Sequence, residues 1–286
     1  IEKEILSISP RQIDYRLRCK KKSLKRSIYG STKPGKLLKH MIPIRTSNWN
    51  IHLPGFLEID LVAHCGSSLS GQFIYTLTAT DIQTGWTERC AVLGKGHEGV
   101  LNAIFDIKNS LPFRLRGLDS DNGEEFINYH LLDFCRGSNP PIEFTRGRPY
   151  KKDDNAYVEQ KNWTHVRQIL GWDRYESEEA LEAINGLYCV ELRLLQNLFQ
   201  PSMKLAEKIR LGSKLIRRYD KPQTPLQRIL QSGKYHRGKA KQLKALSASL
   251  DPFKLSQVVE RKLEAIYPMA CERITKKQQG KPLEPV

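Results

Sequence analysis

The chain has 286 residues, 39% of them hydrophobic, and a formal net charge of +16 at pH 7. This length supports a full hydrophobic core with one or two smaller modules. The sequence shows no secretory signal and no apolar run long enough to cross a bilayer, so we expect no membrane partner. Because the chain begins with Ile rather than Met, we also expect that a further N-terminal part precedes it.

Charge is distributed unevenly along the sequence. Residues 1–50 carry 13 basic and 3 acidic side chains and residues 201–250 carry 13 and 2, whereas residues 51–200 carry 14 and 21. An acidic middle between basic arms fits arms that bind phosphate backbones around a metal-binding core. Solubility explains a high net charge but does not require that the signs be segregated. The charge pattern therefore favours a nucleic acid as the partner.

The six cysteines are widely scattered and form no CxxC pair. This spacing indicates reduced thiols in a cytosolic protein and argues against a structural zinc site.

The N-terminal arm contains a predicted short helix. Ser9 and Pro10 suit the N-cap and the first helical position, and Ile13 and Leu17 form an apolar stripe. Four basic side chains surround that stripe: Arg11, Arg16, Arg18 and Lys20. The pattern fits either the second helix of a partial helix-turn-helix, in which case these arginines contact DNA, or a basic surface helix. Residues 21–50 are predicted to form a basic linker.

The middle of the chain predicts an α/β domain. In chain order, we predict strands over 56–64, 72–80 and 86–93, a helix over 97–111, a strand over 113–119, a helix over 124–135, a strand over 142–145, and helices over 153–170 and 177–199. The first three strands suit an antiparallel meander. Three strands followed by helix, strand, helix, strand and helix is the order of a ribonuclease H-like core, a mixed five-stranded sheet with helices.

Three acids lie in surroundings that suggest phosphoryl transfer. Asp60 in FLEIDLVAHCG and Asp121 in GLDSDNGEEF end strand-like runs, and Glu159 in DDNAYVEQKNWTHVRQ lies on a predicted helix. Mg²⁺ takes oxygen ligands and needs only one or two protein carboxylates per ion. Two such ions about 3.5–4 Å apart stabilise the attacking and leaving oxygens of an in-line displacement. The alternative is three unrelated surface acids.

Two other carboxylates compete with this assignment. Asp119 shares a strand face with Asp121, but the Asn122-Gly123 pair after Asp121 allows the sharp turn that leaves a carboxylate at a strand end. Glu58 shares a face with Asp60 but lies deeper in its strand, so we expect it to make a structural contact.

Further polar residues lie around Glu159 on the same predicted helix. Asn155 and Asn162 share its face and are predicted to contact the metal shell or the DNA backbone. Lys161 and Arg167 either meet phosphates or belong to a solvated charged face.

The last third of the sequence is strongly basic. We predict a β-hairpin around Gly212-Ser213, a helix that starts at Thr224-Pro225, and an amphipathic helix over 253–267 that packs against a partner subunit. The hairpin supplies candidate phosphate contacts at Lys214, Arg217 and Arg218.

The segments EIDLVAHCG, GLDSDNGEEFIN and RPYKKDDNAYVEQKNW resemble those of the integrase-type DDE transposases, which have a retroviral-integrase-like catalytic core. The resemblance covers roughly residues 35–230. It implies that Asp60, Asp121 and Glu159 are catalytic and hold two Mg²⁺ or Mn²⁺ ions, Asp60 contacting both. One departure is that 37 residues separate Asp121 from Glu159, slightly more than is usual for the family, and the loop at 137–141 can absorb the excess.

The resemblance also implies a function and an organisation. The expected function is cleavage of transposon ends and strand transfer into target DNA by a homo-oligomer, in a prokaryotic cytoplasm near the nucleoid. The alternatives are a ribonuclease H-like nuclease without strand transfer and an inactive DNA-binding remnant of a mobile element. We expect a DNA-binding segment and linker over 1–50, the catalytic core over 51–200, and a basic DNA-binding and assembly region over 201–286.

Overall fold

A computed structural model describes residues 9, 11–13, 15–18, 36–45, 52–148, 155–211 and 214–271. The chain divides into two compact units, Ile1–His40 and Met41–Val286. In the first unit, residues 11–13 and 15–18 are helical, and Gln12 N donates to Ser9 Oγ at 3.3 Å. Of the linker predicted over 21–50 only residues 36–45 are described, and they include a helix, α1, Lys36–Met41.

The second unit contains a five-stranded mixed sheet. Its strands are β1 (Phe56–Ala63), β2 (Ile74–Asp81), β3 (Thr87–Leu93), β4 (Gly117–Ser120) and β5 (Glu143–Arg146). Their order in the sheet is β3-β2-β1-β4-β5. The first three strands pair antiparallel, as the predicted meander requires, while β4 is parallel to both β1 and β5. The predicted α/β class and mixed five-stranded sheet are confirmed.

Four helical segments accompany this sheet. Helix α2 is His97–Ser110 and helix α3 is Tyr129–Gly137. Helix α4 begins with Ala156–Lys161, continues through π-helical turns at Asn162–Arg167 and ends with Gln168–Leu170. Helix α5 begins with Glu178–Leu187 and includes π-helical turns at Tyr188–Leu192 and Leu195–Phe199.

Two predicted boundaries in this core are wrong. Helix α3 begins at Tyr129 rather than at 124, because the Asn128 side chain accepts a hydrogen bond from Leu131 N at 2.9 Å and caps the helix there. Strand β4 begins at Gly117 rather than at 113. The residues between β4 and α3 therefore form a loop, and that loop carries Asp121.

The basic region after α5 forms a hairpin and three helices. The hairpin consists of β6 (Leu205–Leu211) and β7 (Lys214–Tyr219), as predicted. Helix α6 (Pro225–Ser232) starts at the predicted Thr224-Pro225, where Thr224 and Gln227 form a capping box. Helices α7 (Arg237–Ser249) and α8 (Pro252–Ile266) follow, and α7 was not predicted.

Helix α8 packs apolar residues against its own chain, and the predicted contact of this helix with a partner subunit stays a prediction. Its Val259 and Ile266 are buried in one core cluster with Ile184 and Leu187 of α5. The stripe is therefore covered by the same chain, because burying apolar surface is favourable whichever element supplies the cover. In the described part of the chain, no helix combines the length and apolar character needed to cross a bilayer.

Candidate active site

The parallel pairing of β1 with β4 places two acids at the end of the sheet. Glu58 pairs with Asp119 and Ile59 with Ser120. Ile59 is followed by Asp60, which lies within β1. Ser120 is followed by Asp121, which lies just after β4. Carboxyl ends of neighbouring parallel strands meet at one edge of a sheet, which is where ligands bind in open α/β folds.

Asp60 lies at the centre of a group of carboxylates. Its pKa is raised to about 7, mainly by burial and in addition by the negative charges of Asp121, Glu159 and Glu125. Two hydrogen bonds hold the Asp60 carboxylate in place, one from Leu61 N at 2.9 Å and one from Asn162 Nδ2 at 2.7 Å. The fold therefore brings the three predicted acids within electrostatic range of one another.

Glu125 is a fourth acid of this group, and the sequence did not single it out. A Cβ atom added at Gly123 would lie 2.8 Å from Glu125 Oε1 and 2.9 Å from Asp121 Oδ1, so both carboxylates converge on this glycine. Gly123 N also donates to Asp121 Oδ1 at 2.9 Å. Glu125 lies in the same SDNGEEF motif, but the helix predicted over 124–135 obscured its place in the loop beside Asp121.

Helix α4 carries Glu159 with an exposed side chain near its N-terminus, flanked by the two predicted asparagines. Asn162 is buried and uses its amide nitrogen on Asp60. The amide oxygens of Asn155 and Asn162 are buried and accept no hydrogen bond from any described residue. Buried polar atoms are normally paired, so these two oxygens are available for a ligand that donates or is positively charged.

The two basic residues predicted nearby already have contacts within the protein. Lys161 Nζ lies 3.3 Å from His165 Nε2, and burial lowers the pKa of Lys161 to about 8. Arg167 donates to Ala63 O at 2.8 Å and lies over the Trp172 ring, 4.0 Å from its centroid. Phosphate contact by Lys161 or Arg167 stays a prediction, and it would compete with these contacts.

A second pair of acids, Glu58 on β1 and Asp119 on β4, has a positively charged partner within the protein. Arg45 lies 3.3 Å from both Glu58 Oε1 and Asp119 Oδ2. Asp119 also accepts a hydrogen bond from Thr145 Oγ1 at 2.6 Å. Glu58 Oε2 accepts from the backbone N–H groups at 157 and 158, at 3.0 and 3.1 Å. Asp119 and Glu58 therefore have structural contacts here, as the sequence suggested for Glu58.

The residues predicted for the basic arms are exposed where they are described. Arg11, Arg16 and Arg18 are exposed on the N-terminal helical residues, and Arg217 and Arg218 on β7. Lys214 begins β7, but its side chain lies outside the described part of the structure. DNA contact by these six residues stays a prediction.

A metal site is not preformed in the described part of the chain, where no three His, Cys, Asp or Glu side chains are grouped so that they could hold an ion. The chemistry of the donors nevertheless suits a hard divalent cation, because carboxylate and amide oxygens are the ligands that Mg²⁺ prefers. Mutual repulsion among the acids is also relieved when a cation binds.

Comparisons with known proteins give one sequence relative and several structural matches. No protein-family model matches the chain. An uncharacterised protein of Sinorhizobium fredii, y4rM, is 43% identical over 192 residues. That match covers 67% of this chain and 54% of the relative, so the chain spans about half the length of that protein.

Two of the structural matches are retroviral integrase cores. The catalytic core domain of BIV integrase matches with a TM-score of 0.38 and 16% identity, over 63% of this chain and 95% of that one. The HTLV-2 integrase catalytic core domain, in complex with magnesium, also matches with a TM-score of 0.38, at 14% identity, over 52% of this chain and 91% of that one. The assignment of the fold rests on the observed strand order and directions.

Proposed function

We propose that this chain is a transposase of the integrase type, which cleaves DNA and joins the cut end to target DNA. The observation that carries the proposal is the electrostatic position of Asp60. The charged groups with the largest effect on its carboxylate are three other acids, all of which raise its pKa. Such an arrangement is costly without a counter-ion and is typical of functional sites.

The proposed ligands of two Mg²⁺ or Mn²⁺ ions are Asp60, Asp121 and Glu159. The buried amide oxygens of Asn155 and Asn162, which accept no hydrogen bond from the described residues, support this proposal because they could add neutral oxygen ligands. When bound, the ions would act as Lewis acids on the phosphodiester and lower the pKa of an attacking water.

The chain's own residues would fix the geometry of the reaction. Asn162 and Leu61 N orient the Asp60 carboxylate, and Gly123 allows Asp121 to approach Glu125. In the first step a water oxygen bonds to phosphorus and the bond from phosphorus to the 3′ oxygen breaks, leaving a 3′-hydroxyl and a 5′-phosphate. In the second step that 3′-hydroxyl attacks a target phosphodiester and displaces another 3′-hydroxyl. Both steps are in-line displacements, so one site can perform both.

The basic arms would supply affinity for DNA, and a homo-oligomer would hold two transposon ends together. In this proposal residues 1–50 read the end sequence, residues 51–200 perform chemistry, and residues 201–286 hold the phosphate backbone. The exposed arginines of the hairpin and of the N-terminal helical residues support this division.

Substitution of the acids tests the proposal. Asp60→Ala, Asp121→Ala and Glu159→Ala should each abolish cleavage and strand transfer in Mg²⁺ or Mn²⁺, while DNA affinity by fluorescence anisotropy stays nearly unchanged. Glu124→Ala is the matched control, because Glu124 is an exposed acid in the same loop. Ca²⁺ should support DNA binding with little chemistry, since its larger and more flexible shell disturbs in-line geometry.

The same assay separates the alternatives. Strand cleavage without joining would identify a ribonuclease H-like nuclease, and DNA binding without either reaction would identify an inactive remnant. Robust cleavage in excess EDTA, or full activity in the three alanine variants, would contradict the proposal.

A further inference from the structure

Residues 42–45, called the edge segment below, extend the sheet beyond β5. Ile44 forms a parallel bridge with Arg146, Arg45 N donates to Arg146 O at 3.0 Å, and Arg146 N donates to Pro43 O at 3.1 Å. The edge segment is thus fixed to the strand next to the one that leads to Asp121. We propose that it positions two of the acids, Glu159 through Arg45 and Asp121 through Arg146; this inference rests on the proposed function.

The first path runs from the edge segment to helix α4. Both terminal nitrogens of Arg45 lie 3.3 Å from Glu58 Oε1. The other oxygen of the same carboxylate accepts hydrogen bonds from the backbone N–H groups of Tyr157 and Val158. These N–H groups belong to the first turn of α4, which has no intrahelical acceptor for them. Arg45 therefore fixes the Glu58 carboxylate, which in turn holds the first turn of α4. Glu159 follows Val158 on the same helix.

The second path runs from the edge segment to the loop of Asp121. Arg146 Nε donates to Ile42 O at 3.1 Å, and its Nη1 donates to Asn122 Oδ1 at 2.9 Å. Asn122 Nδ2 in turn donates to Gly147 O at 2.9 Å. Asn122, the residue after Asp121, is therefore held by hydrogen bonds to both the oxygen and the nitrogen of its side-chain amide. One short segment thus reaches the two elements that carry separate acids.

A purely structural role is the competing explanation, and the chain offers a matched control for it. Arg193 and Glu88 form a second Arg–Glu pair, 2.8 Å apart, with 17% and 5% of their side chains exposed. Arg45 and Glu58 are 15% and 1% exposed. Glu88 lies on β3, which β2 separates from β1 in the sheet, and β1 is the strand that carries Asp60. Loss of either pair should destabilise the fold, but only loss of the first should disturb the acids.

Amide hydrogen exchange in metal-free protein tests the two paths separately. Arg45→Gln should accelerate exchange at Tyr157 and Val158, about tenfold beyond any change in global stability, and leave Gly123 unchanged. Arg146→Gln should accelerate exchange at Gly123 and leave Tyr157 and Val158 unchanged. The reason is that Gly123 N donates to Asp121 Oδ1 in the loop that Arg146 holds. Arg193→Gln should change none of the three amides. Arg45→Lys, which keeps the charge, should restore most of the protection at Tyr157 and Val158.

Kinetics on a DNA end substrate in Mg²⁺ complete the test. Arg45→Gln and Arg146→Gln should each lower kcat about 10- to 100-fold, since small misplacements of catalytic groups have effects of this size. KM for DNA should change less than about twofold, because the arms supply binding. Arg193→Gln should keep wild-type kcat well below its melting temperature, and Arg45→Lys should recover much of kcat.

Two results would overturn the inference: unchanged exchange at the named amides in both variants, or equal losses of kcat in Arg45→Gln and Arg193→Gln. A wild-type protein without activity on DNA would refute the proposed function instead. The exchange pattern would still decide whether the edge segment holds the two elements.

Discussion

Two pairs of acids lie on, or directly after, the same two parallel strands, and they differ in the charges around them. Glu58 and Asp119 are paired in register and share Arg45 as their counter-ion. Asp60 and Asp121 lie two residues further along, where the pairing of β1 with β4 ends. The charged groups that act most strongly on Asp60 are other acids. The first pair has a cation of the protein between its carboxylates, whereas the cation proposed for the second pair is a bound metal ion. Position along a strand therefore separates a structural acid from a candidate catalytic one.

The pKa values of Glu58 and Asp60 sharpen this comparison. Burial raises the pKa of both carboxyls to about 7. For Glu58 the largest opposing effect is the positive charge of Arg45, which lowers its pKa. For Asp60 the charges of Asp121 and Glu159 add to the effect of burial. The two pKa values thus share burial as their largest cause and differ in the charge that acts next, a cation at Glu58 and an acid at Asp60.

The largest expected effect comes from replacing Asp121 by Ala and comparing the result with replacement of Asp119. Asp121→Ala should lower strand cleavage by at least about 100-fold with little loss of stability, because its carboxylate serves a metal. Asp119→Ala should instead lower the free energy of unfolding by about 2–4 kcal/mol, since Arg45 and Thr145 Oγ1 lose a buried acceptor. Urea unfolding and a cleavage assay on both variants measure the two quantities.

We therefore expect Asp121→Ala to lose activity but keep its stability, and Asp119→Ala to lose stability but keep its activity while it is folded. Cleavage by Asp119→Ala should be assayed well below its unfolding midpoint, where the folded fraction is close to one. An inactive but stable Asp119→Ala variant, together with an active Asp121→Ala variant, would reverse the assignment within the DSD segment.

A smaller effect concerns the stability of the metal-free protein. The folded pKa of Asp60 is raised from 3.8 to about 7, so the folded state binds a proton more tightly than the unfolded state does. The resulting stability is fully present below pH 4 and is lost as pH rises to about 7. Asp60→Asn removes this loss and should be more stable than wild type at pH 8 in EDTA, by on the order of 2 kcal/mol.

Urea unfolding at pH 4 and pH 8 checks the sign of this effect. The advantage of Asp60→Asn should be absent at pH 4, while Glu124→Gln should track wild type at both values. Equal stability of wild type and Asp60→Asn at pH 8 would show that the ionised Asp60 carboxylate does not destabilise the folded state.

Much of the fold could be predicted from sequence because the signals are local, and local signals also selected the three acids that we propose as metal ligands. Alternating β-rich runs predict β1 to β3, and the strand-like run that contains Asp60 and the turn at Asn122-Gly123 point to the candidate site. The register that brings Asp60 beside Asp121 is consistent with those signals but is not encoded in either segment alone.

The parts that sequence reasoning missed depend on long-range contacts. Arg45 is separated from Glu58 by 13 residues and contacts Asp119 as well, so no local pattern identifies it. Glu125 was hidden by a helical pattern that the Asn128 cap overrides. Helix α8 was correctly predicted as amphipathic, but periodicity shows only that a face must be covered and not by which chain.

The smallest expected effect separates two arginines of the hairpin. Arg217 and Arg218 are adjacent on β7, so their side chains lie on opposite faces of the strand. Arg218 lies 3.4 Å from Glu207, whose carboxylate offsets its positive charge. Arg217 is therefore the better of the two for contact with a phosphate backbone. We expect it to supply affinity that is independent of sequence.

A salt titration of DNA binding measures this contribution. Arg217→Ala should lower the slope of log K against log salt by about 0.9, equally on transposon-end and random DNA. Arg218→Ala, the matched control on the other face, should change the slope less. Replacing Arg11 and Arg16 by Ala should instead narrow the affinity gap between the two DNAs, because base contacts specify sequence while phosphate contacts do not. An effect of Arg217→Ala on the transposon-end DNA alone would refute this division between the arms.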